Sequence, residues 1–78
     1  MKYVVASIYD SDCKLFVYDN GEIISAYDNN DKSCDELSKF HEFNIDFYDW
    51  LKSKYKDYDL VVVCKDGKNK IIVDNPSL

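Results

Sequence analysis

The sequence predicts a single small α+β domain of order β-β-β-α-β-β, and three observations carry that prediction. The dipeptide Tyr-Asp recurs every nine residues, as Tyr9-Asp10, Tyr18-Asp19 and Tyr27-Asp28. Apolar residues at helical spacing then run from Leu37 to Tyr55. Two short apolar runs follow, Leu60 to Cys64 and Ile71 to Val73. Each Tyr-Asp closes an apolar run and opens a turn, so the first third reads as a three-stranded meander.

Strand one is expected from Tyr3 to Tyr9, strand two from Lys14 to Tyr18, and strand three from Ile23 to Tyr27. Asn20-Gly21 is the strongest hairpin signal, because both positions of a tight turn of this kind need positive φ. A two-residue turn there pairs Asp19 with Glu22, Val17 with Ile24 and Leu15 with Ala26. A similar turn at Ser11-Asp12 pairs Ile8 with Leu15 and Ala6 with Val17. In that register one face carries Val4, Ala6, Ile8, Leu15, Val17, Ile24 and Ala26. The other carries Tyr3, Val5, Tyr9, Lys14, Phe16, Tyr18, Ile23 and Tyr27. The aliphatic face suits a helix, and the aromatic one is left at least partly open. A register shifted by one residue would reverse this and make the aromatics the core.

Asp28 to Lys32 is expected to be a loop. Ser33-Cys34-Asp35-Glu36 has the Ser-x-x-Glu pattern of a capping box. Leu37, Phe40, Phe43, Phe47, Trp50, Leu51 and Tyr55 form the helical stripe. Asn44 interrupts it, so the sequence allows one long helix or a short segment followed by a longer one. The uninterrupted Leu60-Val61-Val62-Val63-Cys64 run suits a strand inside the sheet. Asp66-Gly67 marks the next turn, and Pro76 ends the regular structure. A right-handed crossover from strand three places strand four parallel to strand one, giving a mixed five-stranded sheet of order 3-2-1-4-5 with the helix on one face.

With 78 residues the chain has room for one domain, residues 1–78, and a small core. No apolar run approaches the roughly 20 residues needed to span a bilayer, and Met1-Lys2 leads into a strand rather than an apolar leader. The expected compartment is the cytoplasm, with no membrane association. Cys13, Cys34 and Cys64 are odd in number and widely spaced, which reads as three reduced thiols rather than a disulfide framework or zinc site.

The formal net charge is −5, from 15 acids and 10 bases, and every base is Lys. Arginine is the usual residue for bidentate recognition of phosphates and base edges. Its absence, with the acidic balance, argues against direct nucleic-acid binding and for a partner with a basic surface. Usage rich in Asp, Asn, Lys and Tyr suggests an AT-rich genome, such as that of a Gram-positive bacterium or one of its phages.

Motifs for catalysis are sparse. His41 is the only histidine, and Gly21 and Gly67 are the only glycines, so neither a nucleophile elbow nor a phosphate loop is encoded. No cofactor is expected, and the chain is read as a non-enzyme. The carboxylates give the alternative. The β-β-β-α-β order, with Asp10 after strand one, Asp49 or Glu42 on the helix and Asp66 after strand four, resembles the first half of the ribonuclease H-like fold. That resemblance implies a truncated metal-dependent nuclease using Mg²⁺. The same half-fold, opening on Met1-Lys2-Tyr3, is similar to HicB-type antitoxins. In size, charge and composition the chain also resembles small acidic phage proteins that inhibit host defence nucleases, anti-CRISPR proteins among them.

The leading expectation is therefore a small acidic protein-binding module and inhibitor. Its candidate interface residues are the acids Asp10, Asp12, Asp28 and Asp31, expected at one end of the sheet, and the aromatics Tyr3, Tyr9, Phe16, Tyr18 and Tyr27. Homodimerisation through an edge strand or the aromatic face is compatible with that role.

Overall fold

A computed structural model of the chain describes residues 1–64 and 70–74. It is α+β, with a mixed sheet and one α-helix, as the patterning predicts. The strands are β1 (Lys2–Tyr9), β2 (Asp12–Asp19), β3 (Glu22–Asp28) and β4 (Asp59–Cys64), in the order β3-β2-β1-β4. β5 (Lys70–Asp74) lies antiparallel along the other side of β4. β1 pairs antiparallel with β2 and parallel with β4. The Asp66-Gly67 turn lies outside the described residues.

Two register details differ from expectation. The first turn is Asp10-Ser11 rather than Ser11-Asp12, with Asp10 at φ 53°. The pairing therefore slides by two, to Ile8 with Cys13 and Ala6 with Leu15. A two-residue slide preserves the faces, because side chains alternate with period two. It also brings Cys13 into the core, fully buried.

The second difference has larger consequences. Asn20 and Gly21 both take positive φ, 53° and 82°, and Asp19 pairs with Glu22 as expected. Between Val17 and Tyr18 the register then shifts, so that Val17 faces Ser25 and Leu15 faces Tyr27. One extra residue on β3 forms a bulge there, and the alternation beyond it is inverted. Ile24 and Ala26, expected on the helix-covered face, are exposed instead. Tyr27, expected on the aromatic face, packs against the core.

The covering layer follows the second of the two alternatives the sequence allows, a short segment before Asn44 and a longer helix after it, but the short segment is not α-helical. No helix starts at Ser33. Residues Leu37–Lys39 form a single 3-10 turn, and Phe40 is extended at φ −105°, ψ 132°. The helix α1 spans Ile45–Lys54, and the Asn44 side chain caps it by accepting from the Phe47 N–H at 2.9 Å. The capping box is not formed. Ser33 Oγ accepts from the Asp28 N–H at 3.1 Å, and Glu36 reaches across to α1. The sheet contributes Val4, Ala6, Ile8, Cys13, Leu15, Val17, Leu60 and Val62 to the core, and Leu37, Phe47, Leu51 and Tyr55 close it from above. Burying side chains of the Leu and Phe class is worth about 1.5–3 kcal/mol each. Phe40 meets Phe47 edge-on at 5.2 Å and Trp50 at 5.3 Å, so the extended segment packs on the helix without being part of it.

Candidate functional site: the open face of the sheet

The face of the sheet away from α1 is mapped by its register. At one end, Ile23, Tyr18, Tyr3 and Asp59 lie in a row. The next row is Ala26, Phe16, Val5 and Val61, and the third is Asp28, Lys14, Ser7 and Val63. Tyr9 and Asp12 pair at the far end. Tyr3, Val5, Phe16, Tyr18 and Val61 are half-buried along these rows and stand outside the core cluster. Tyr3 and Tyr18 stack with ring centroids 4.6 Å apart and planes 9° from parallel. Tyr9 is 58% exposed and Ile23 55%. The face thus has an apolar centre, an aromatic end and a charged end.

Four of the five aromatic candidates, Tyr3, Tyr9, Phe16 and Tyr18, share this face, and the bulge takes Tyr27 away from it. The sequence signal for the bulge is slight. Ile23-Ile24 puts two apolar residues in succession, which an unbroken alternation would place on opposite faces.

The four acids gather at the end of the sheet where β1 and β3 finish. Asp10 sits in the β1–β2 turn, Asp12 opens β2, Asp28 closes β3 and Asp31 lies in the following loop. Asn30 joins two of them, donating from Nδ2 to Asp12 Oδ1 at 2.6 Å and from its N–H to Asp28 Oδ1 at 2.9 Å. Asp31 Oδ1 accepts from the Ser33 N–H at 2.9 Å, and Ser33, through its side chain and then its N–H, holds the Asp31 carboxyl below the usual carboxylate range. Asp28, Asp31 and Asn30 therefore do the local turn work that short polar side chains favour. Asp12 and Asp28 also share the open face with the aromatics, since they pair with Tyr9 and Lys14.

Among the described residues no group of three His, Cys, Asp or Glu side chains is arranged to hold a metal ion. Asp49 and Glu42 are exposed, and Asp66 lies outside the described residues. No described helix is long and apolar enough to cross a membrane. Cys13, Cys34 and Cys64 are thiols.

Sequence reasoning missed the residue that holds this end of the sheet together. Asn29 is buried, 5% exposed. Its Oδ1 accepts from the Cys13 N–H at 3.1 Å, and its Nδ2 donates to the Ser11 carbonyl at 3.0 Å and the Phe40 carbonyl at 2.8 Å. His41 Nδ1 lies 3.4 Å from the same amide nitrogen. One side chain thus ties the first turn to the segment that leads into α1. In the sequence Asn29 is one polar residue in a polar run, and nothing in its spacing marks it as buried.

No protein-family model, curated protein or solved structure matches the chain.

Proposed function

We propose that this chain is a small acidic protein-binding module that inhibits a nucleic-acid-handling enzyme, of the kind phages direct against host defence systems. The observation that carries the reading is the sheet face away from α1, whose aromatic and aliphatic side chains, from half-buried Phe16 and Val5 to exposed Tyr9 and Ile23, lie outside the core. Contiguous exposed apolar surface on a small domain marks an interface. Aromatic side chains supply rigid contact area at low entropic cost. The net charge of −5 and the absence of arginine select a partner with a basic surface. Enzymes that grip nucleic acid have such surfaces, and acids gathered at one sheet end speed the encounter by steering. In this reading the whole chain acts as one five-stranded domain in the cytoplasm, without a cofactor or catalysis of its own.

The test is affinity capture from a host lysate, comparing the tagged chain with Asp10→Lys/Asp28→Lys and with Phe16→Ala/Tyr18→Ala. The expected result is one stoichiometric protein, basic and active on nucleic acid, whose activity falls when the chain is added. Capture of nothing beyond background removes the reading. A stoichiometric partner whose activity is untouched removes the inhibitor role.

A further inference from the structure

We infer that the apolar centre and acidic rim of the open face form one docking surface, whose occupant is a protein segment with an apolar anchor flanked by lysine or arginine. The inference deepens the protein-binding reading above and rests on it. As read from the sequence, the interface is the aromatic face, the acid-rich strand ends, or both. The register makes them one. Phe16 lies beside Val5 and Ala26 in the central row, and Asp28 and Lys14 occupy the row next to it. Asp12 closes the same face beside Tyr9. Asn30 holds the Asp12 and Asp28 carboxylates at that rim with hydrogen bonds of 2.6 and 2.9 Å. The carboxylates are therefore placed before the partner arrives, which lowers the ordering cost of binding.

An apolar centre ringed by polar groups is the usual anatomy of a binding hot spot. Here Asp12 and Asp28 outnumber Lys14 at one end, so the occupant's cations belong beside the two carboxylates and its apolar anchor over Phe16 and Val5.

The test uses a synthetic peptide with a Leu-Trp-Leu centre between paired lysines, titrated into the isotope-labelled full chain and followed by backbone amide resonances. Two control peptides replace the lysines by glutamate, or the Leu-Trp-Leu centre by serines. The expected result is saturable movement of the Val5, Phe16 and Tyr18 amides together with Asp12 and Asp28, with the lysine peptide alone. Asp12→Asn/Asp28→Asn keeps the oxygens that Asn30 uses and is expected to weaken binding about tenfold at low salt. Phe16→Ser, or Val61→Thr should Phe16→Ser disturb the fold, is expected to weaken it by a similar factor. Movement confined to the acidic loop, movement on the α1 side, equal binding of the serine peptide, or no saturation overturns the inference. A lysate partner indifferent to every one of these substitutions leaves the protein-binding reading standing and removes this surface. Peptide binding as described, with no protein captured, does the reverse.

Discussion

At the scale of single residues, Asn29 and Tyr55 have the clearest consequences. Replacing Asn29 by Ala removes the buried bond to the Cys13 N–H and the part-buried bonds to the Ser11 and Phe40 carbonyls, and a buried polar group that loses its partner costs about 1–3 kcal/mol. Asn29→Ala is therefore expected to lower stability by about 3 kcal/mol in urea denaturation, well beyond the effect of changing its exposed neighbour Asn30. Tyr55 responds to pH. Burial, with smaller contributions from the neighbouring Tyr27 and Cys34, pushes its hydroxyl from 10.0 up to about 12. Because the folded pKa is raised, this stabilisation is complete below pH 10 and is lost as pH rises through 12. In thermal melts across that window, Tyr55→Phe is expected to lose stability less steeply than the parent chain.

The elements show how local chemistry and tertiary demand divide the work. Asn44 is the true start of α1, and removing its cap in Asn44→Ala is expected to cost about 1 kcal/mol. Leu51→Ala empties a fully buried site and is expected to cost about 3 kcal/mol, whereas Phe16→Ala and Tyr18→Ala, on the open face, are expected to cost less. Denaturant midpoints order the three. Glu36 shows why the capping box failed to predict. Its carboxylate accepts from Trp50 Nε1–H at 2.9 Å and pairs with Lys54 Nζ at 3.1 Å, stapling the 3-10 turn to the last turns of α1. Trp50 first, then Lys54, hold the Glu36 carboxyl below its ordinary range. The contribution of this staple is present above the ordinary carboxylate pKa and is lost as pH falls through the lowered one. The indole N–H resonance of Trp50 should report that titration, with a midpoint below 4.5. The strands were legible in the sequence because their alternation is local. The helix start at Asn44 was legible as one of two alternatives, and the extended Phe40 was not, because its carbonyl bonds to the side chain of Asn29, a residue that nothing in its spacing marks as buried. The open face was legible from Tyr3, Phe16 and Tyr18. The position of Tyr27 was not, because a one-residue bulge inverts every side chain beyond it. Deleting Ile24 should remove the bulge and leave Val17 facing Ser25 and Leu15 facing Tyr27, so Tyr27 is expected to stay packed on the core, with its side-chain contacts to the core retained in the spectrum of the variant.

Across the whole molecule, the proposed function divides the two faces of one sheet between stability and recognition. Substitutions beneath α1 act on folding, and those on the opposite face are available to a partner. The parallel pairing of β1 with β4 has a kinetic consequence as well. The two hairpins β1–β2 and β2–β3 close tight turns, while Tyr3 meets Asp59 only after nearly the whole described chain has been gathered in. Contacts so distant in sequence carry the larger loop-closure entropy, so they are expected to form last on the folding pathway. Val62→Ala should then speed unfolding while leaving the refolding rate nearly unchanged, and Leu15→Ala should slow refolding. During synthesis the meander leaves the ribosome before α1, and its aliphatic face is bare until the helix follows, so the nascent chain passes through a stage at which it needs shelter from its neighbours.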